Sequence, residues 1–246
     1  MMNFQYFGLC DAGKRDINED FIACYEANGL HIMFVADGMG ANKEGLLASE
    51  VTVKEIIRYL DMNSASISRE NAVSMVYFGA YTAGRMLSAL KSSGSELYSE
   101  NFSTTLTAFI LFDDYSYTIA HIGNSRAYML RQGQLYQLTR DETEAQVLFD
   151  MQQITYEQLI HHPQRNILTK SLGMNDDNVT LYPPNYAAPR DMIILMTNGI
   201  FDVFNEQDMV YLIQASSDTA QICESFIKIA NETSGIDNSA VILCMI

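Results

Sequence analysis

Met192-Ile193-Ile194-Leu195-Met196 is the segment that most constrains this fold. The run is too short for a helix and has no polar alternation, so it reads as a strand with neither face left for water. It lies within the longer predicted strand Asp191–Met196. A strand of that kind belongs in a sheet covered on both sides, and a hydrophobic fraction of 48% supplies the cover.

Short apolar or alternating runs predict further strands at Phe4–Cys10, Phe21–Tyr25 and His31–Ala36, with Asn28-Gly29 as a hairpin turn. Glu44–Leu60 and Arg69–Leu90 have helical spacing, and Ser68 is placed to cap the second. Lys91–Asn101 reads as a loop. Thr104–Phe112, Tyr115–Ile122, Arg126–Leu130 and Leu135–Leu138 follow as four strands, predicted to form an antiparallel meander. Glu142–Asp150 and Tyr156–His161 read as short helices of a surface excursion. Glu206–Gln214 and Thr219–Ala230 are predicted helices, and Ala240–Ile246 a final buried strand. Grouped strands with paired helices indicate an α+β fold, with sheets packed on each other and helix pairs outside.

Acidic residues outnumber basic ones 30 to 15, and the net charge of −15 argues against a nucleic-acid partner. No apolar run approaches the roughly 18 to 20 residues of a membrane span. Met1-Met2-Asn3-Phe4-Gln5 carries no secretory signal pattern. Cys10, Cys24, Cys223 and Cys244 lack paired spacing and read as buried free thiols in a reducing, cytoplasmic setting.

The chemistry lies in fragments far apart in sequence: Asn18-Glu19-Asp20, Asp37-Gly38-Met39-Gly40, Gly123-Asn124-Ser125-Arg126, Thr197-Asn198-Gly199 and Asp237-Asn238. Each lies where a predicted strand meets a turn. Strand ends can converge on one edge of a sandwich, where crowded carboxylates repel unless cations neutralise them. Oxygen ligands without a His or Cys cluster suit a hard ion, Mg²⁺ or Mn²⁺.

These fragments resemble, in order, the motifs of the metal-dependent protein phosphatases, the type-2C serine/threonine phosphatases, in their short bacterial form. Arg15-Asp16-Ile17-Asn18-Glu19-Asp20 is similar to the family's Arg-x-x-Asn-Glu-Asp, and Val35-Ala36-Asp37-Gly38-Met39-Gly40 to its second motif. Ile122-Gly123-Asn124-Ser125-Arg126-Ala127-Tyr128 resembles Val-Gly-Asp-Ser-Arg-Ala-Tyr. Leu195-Met196-Thr197-Asn198-Gly199-Ile200 resembles the Ser-Asp-Gly-Leu motif, and Ser234-Gly235-Ile236-Asp237-Asn238 the closing Gly-x-Asp-Asn.

The resemblance implies one domain over residues 1–246, a four-layer αββα sandwich of two antiparallel sheets flanked by helix pairs, with a flap at about 141–165. It implies two Mg or Mn ions. Asp37 would bridge them, Gly38 would offer its carbonyl, and Asp237 and Asn198 would serve the first ion. Glu19 and Asp20 would hold metal-bound waters or complete the ligand set of the second ion, and Arg15 would clamp the substrate phosphate. A metal-bridging water would attack phosphorus in line. The implied substrate is a phosphorylated protein made by a serine/threonine kinase, and the implied state a monomer with no membrane partner. Met39 is given no proton role, His161 and His162 read as surface residues, and Arg126 reads as part of a structural ion pair.

Two positions depart from the family pattern. Asn198 stands where the family carries an acid on the first metal, and Asn124 where it carries one for an accessory metal. A neutral amide in place of a carboxylate, at ~1.4 to 3 kcal/mol, lowers metal affinity roughly 10- to 100-fold. The alternative to a working phosphatase is therefore a pseudophosphatase that binds phosphoproteins or regulates without turnover. A phosphoesterase acting on small phosphates is a third reading.

Overall fold

The computed structural model describes residues 4–41, 43–93, 98–174 and 177–246. Its strands are β1 (Gln5–Asp11), β2 (Asp20–Ala27), β3 (Leu30–Met39), β4 (Ser103–Thr104), β5 (Leu106–Phe112) and β6 (Ser116–Ile122). They continue as β7 (Arg126–Arg131), β8 (Gln134–Gln137), β9 (Thr180–Leu181), β10 (Asn185–Tyr186), β11 (Met192–Met196) and β12 (Ser239–Met245). The helices are α1 (Glu44–Met62), α2 (Arg69–Ser92), α3 (Glu144–Asp150), α4 (Tyr156–Ile160), α5 (Asn198–Phe201), α6 (Glu206–Gln214) and α7 (Thr219–Thr233). The predicted Lys91–Asn101 loop falls partly on 94–97, outside the described residues.

Two antiparallel sheets form. One runs β1-β12-β11-β7-β8, and the other β10-β6-β5-β3-β2 with β4 added to β3 and β9 to β6. Met33, Val35, Phe109 and Ile119 of the second sheet pack between the layers against Ala127, Met129, Ile193, Leu195 and Ile242 of the first. On the outer side of the second sheet, Ile32, Phe34 and Ile110 pack against Val53, Ile56 and Leu60 of α1 and Val76 and Leu87 of α2. On the outer side of the first, Ile194, Met196, Val241 and Leu243 pack against Met209 and Ile213 of α6 and Ile222, Phe226 and Ile227 of α7. Alternate residues of β11 thus serve two cores, which is why the whole segment is apolar.

Local signals explain most boundaries. Asn28 and Gly29 both have positive φ (52° and 74°), as the two-residue β2–β3 turn requires. Asn71 Oδ1 accepts the Ser68 N–H at 2.8 Å, half of a capping box at the start of α2.

Two expectations need correction. The four central strands are not one meander: β5–β6 is a hairpin of one sheet and β7–β8 a hairpin of the other. Between them Gly123 (φ +101°) carries the chain across, so close to Thr105 that an added Cβ would lie 2.6 Å from its Cγ2. Thr107 Oγ1 donates to the Ser125 carbonyl at 2.7 Å and pins the crossover. The thiols are free, but only Cys223 and Cys244 are buried; Cys10 is half-buried and Cys24 exposed.

The predicted excursion spans slightly more than 141–165. Thr143 bridges Leu168, and Thr169 N–H donates to the Glu142 carbonyl at 2.9 Å, closing its base. Among the described residues no helix is long and apolar enough to cross a membrane.

Candidate active site

The two sheets share a rim where β2, β5, β7 and β12 begin and β1, β3, β6 and β11 end. Asp20 and Asp37 are directly paired across β2 and β3. Asp37 is held by backbone: its N–H donates to Thr105 Oγ1 at 2.9 Å, and its carbonyl accepts the Thr105 N–H at 2.9 Å. The following Gly38 is required sterically, since a Cβ there would lie 1.9 Å from the Gly45 carbonyl oxygen. The first turn of α1 therefore seats directly on the Asp37-Gly38 peptide.

Glu19 is fixed at both main-chain groups. Its N–H donates to Asn238 Oδ1 at 3.0 Å, and its carbonyl accepts Ser49 Oγ at 2.6 Å. Its carboxylate accepts the Gly45 N–H at 3.2 Å. Asp20 is 3% exposed, and its Oδ2 accepts the Thr197 hydroxyl at 2.7 Å. Arg15 Nη2 reaches Asp237 Oδ1 at 2.9 Å and Nε donates to the Ile236 carbonyl at 3.0 Å. Arg15 Nη1 is 4.0 Å from Glu19 Oε2.

Asn198 opens α5 immediately after Thr197, and Gly199 lies so close to the 237–238 turn that a Cβ would meet the Asn238 oxygen at 1.9 Å. Asn124 is buried in the crossover beside Thr105, the residue that holds Asp37. The sequence-predicted residues Arg15, Glu19, Asp20, Asp37, Gly38, Asn198 and Asp237 thus gather on one rim, with Asn124 on the adjoining crossover.

Unneutralised charge marks this rim. Burial and then Asp237 push the Asp37 carboxyl up to about 7. Burial and Asp37 raise Asp20 well above its ordinary value, and burial raises Glu19. Arg15 opposes all three shifts. An all-oxygen set that resists its own ionisation fits a hard divalent cation, which would neutralise the repulsion. Among the described residues, however, no three of His, Cys, Asp and Glu stand together as a ready ligand set.

Arg126 is committed elsewhere. It donates to both Asp141 oxygens (Nε 2.9 Å to Oδ1, Nη2 2.7 Å to Oδ2) and to Tyr128 Oη at 2.9 Å, and it stacks 3.8 Å over Phe201. That is the structural ion pair expected. His161 is exposed and His162 half-buried past the end of α4.

Three neutral residues that support the carboxylates were given no role of their own from sequence: Thr105, Thr197 and Asn238. Thr197 and Asn238 were quoted only as members of the acidic fragments, and Thr105 only in Ser103-Thr104-Thr105, which resembles the family's Gly-Thr-Thr strand entry.

The protein phosphatase 2C family model matches residues 12–232. This chain belongs to that family. PhpP of Streptococcus pneumoniae, a protein phosphatase, is 27% identical over 238 residues, covering 96% of this chain and 94% of PhpP. The serine/threonine phosphatase of S. agalactiae superposes with a TM-score of 0.87 at 26% identity, covering 99% of this chain and all of that one. The catalytic domain of the phosphatase PstP, solved with two manganese ions, gives a TM-score of 0.81 at 27% identity over 98% of this chain and 97% of its own. The two-sheet sandwich with outer helices is therefore the protein phosphatase 2C architecture, and the rim is where this member's motifs meet.

Proposed function

We propose that this chain is a metal-dependent serine/threonine protein phosphatase that hydrolyses phosphoserine and phosphothreonine in proteins. The observation that carries the reading is the meeting of Asp20, Asp37 and Asp237 with Arg15 on one rim, in a family whose named relatives are phosphatases. Asp37, the Gly38 carbonyl, Asp237 and Asn198 would hold Mg²⁺ or Mn²⁺, with Glu19 and Asp20 completing the set and Asn124 at the accessory position. The bound ions would supply a nucleophilic oxygen at neutral pH and screen phosphate charge.

The chain's own residues orient and bind. Arg15, with 46% of its side chain exposed, presents its planar fork to phosphate oxygens. Thr105 fixes the Asp37 backbone, and Thr197 keeps Asp20 from turning away. The excursion around 141–165, carrying α3 and α4, stands as the flap that contacts the phosphoprotein. Substrates are products of a serine/threonine kinase, and the catalytic unit, residues 1–246, acts as a cytoplasmic monomer.

Asn198 and Asn124 each remove one negative charge and leave weakened metal positions. They also favour a second reading, a pseudophosphatase that holds phosphoproteins without turnover. Phosphate release from a phosphopeptide panel in millimolar Mn²⁺ decides between them. Release abolished by Asp37→Ala supports the enzyme. No release at any metal concentration, with phosphopeptide binding retained, supports the pseudophosphatase.

A further inference from the structure

Asn238 is 3% exposed, and all three polar positions of its carboxamide are engaged by the backbone of one loop. Nδ2 donates to the Ala12 carbonyl at 3.0 Å and to the Ile17 carbonyl at 2.9 Å. Oδ1 accepts the Glu19 N–H at 3.0 Å. These bonds bracket Arg15 on both sides. The Asn238 backbone N–H also donates to Asp237 Oδ1 at 2.8 Å, the same oxygen that Arg15 Nη2 approaches at 2.9 Å. Gly199, packed on the Asn238 carbonyl, closes the opposite side.

We propose that Asn238 is a positioning residue for phosphate capture, acting through Arg15. The inference rests on the reading that Arg15 receives the substrate phosphate. One end of the Arg15 loop is also held by Lys14, whose N–H donates to the Gly235 carbonyl at 2.7 Å and whose Nζ donates to the Ser234 carbonyl at 2.7 Å. Both of those contacts lie at residue 14. The Ile17–Glu19 end depends on Asn238 for the donor to one carbonyl and the acceptor for one N–H. Without that amide the two carbonyls lose buried partners and the loop gains alternative conformations. The guanidinium is then no longer held beside Asp237 before phosphate arrives, and binding carries the ordering penalty instead.

The test is a double-mutant cycle read by calorimetric titration of inorganic phosphate into Mg²⁺-loaded wild type, Arg15→Ala, Asn238→Ala and the double variant. Asn238→Ala is expected to weaken phosphate binding about tenfold in the wild-type background and less than about twofold in the Arg15→Ala background. Equal losses in both backgrounds overturn the proposal, as does a wild type that binds no phosphate. Turnover of p-nitrophenyl phosphate is followed in parallel, with KM expected to rise more than kcat falls. Wild type that binds phosphate but does not turn over contradicts the phosphatase reading while leaving the cycle as the judge of Asn238. If Asn238→Ala does not fold, Asn238→Asp preserves the side-chain volume and removes the two donors, and it is expected to reproduce the same loss. Hydrogen exchange on the wild type is a further check: the Glu19 amide is expected to be protected, and exchange at the unprotected rate overturns the proposal.

Discussion

Thr197 Oγ1 donates to Asp20 Oδ2 at 2.7 Å and accepts the Ala240 N–H at 2.9 Å. A single buried hydroxyl thereby ties the start of β2 in one sheet to the β11–β12 pair in the other. Thr197→Val keeps the shape but strands both partners, so it is expected to cost ~1–3 kcal/mol at neutral pH. Thr197→Ser keeps the hydroxyl and stays close to wild type. Urea unfolding of the three proteins checks this, and equal loss in Val and Ser would assign the effect to packing.

The metal-free protein is expected to gain stability from Asp37→Asn. The Asp37 carboxyl is raised to about 7 from the ordinary 3.8, chiefly by burial and then by Asp237. The native chain therefore resists an ionisation that the unfolded chain undergoes freely. The cost is fully present above the raised value and vanishes below the ordinary one. In EDTA, Asp37→Asn should stabilise the fold at pH 8 by on the order of 1–3 kcal/mol, seen as a higher melting temperature. The gain should fade toward pH 4. A variant less stable than wild type at pH 8 would contradict the charge argument.

Asn198→Asp restores a carboxylate to a rim position that now offers a neutral amide. Mn²⁺ affinity is expected to rise about 10- to 100-fold, which corresponds to about 1.4 to 3 kcal/mol. Asn124→Asp, on the adjoining crossover, is expected to change it less. Electron paramagnetic resonance of free Mn²⁺ during titration measures both without reference to turnover. An unchanged affinity in Asn198→Asp would remove position 198 from the ligand set.

The excursion is fastened to α5. Arg165 Nη2 and Asn166 Nδ2 both donate to Asp202 Oδ2, at 3.0 Å and 2.8 Å, one residue past the helix that Asn198 opens. Asp202→Ala is expected to speed amide exchange through 156–167. It should raise KM for a phosphoprotein several-fold more than KM for p-nitrophenyl phosphate, which is too small to reach the excursion. Equal effects on the two substrates would show that the latch does not serve protein binding.

Much of the frame was legible because burial leaves a compositional trace. Met192–Met196 announced two covered faces, and Asn28-Gly29 announced its turn. The sheet change at Gly123 was not legible: a glycine between two strands signals a turn, but the destination is set by Thr105 and Thr107 reaching Ser125 across 18 to 20 residues. The two-residue strands β9 and β10 are too short to carry any periodicity. At the rim, charge made Glu19, Asp20, Asp37 and Asp237 visible. Thr197 and Asn238 stood inside the quoted motifs, but they act through neutral hydrogen bonds to distant segments, and nothing local names those partners.

The rim and the cores are different materials. Asp37 lies near the end of β3, Asn198 follows β11 and Asp237 precedes β12, with the apolar side chains of those strands further in, so exchanging an acid for an amide there changes no packed surface. It also relieves a crowd of like charges. Selection for durability and selection for turnover therefore pull in opposite directions at these positions. A lineage that no longer needs fast dephosphorylation can lose acids one at a time and become sturdier, with an architecture that still superposes on its active cousins.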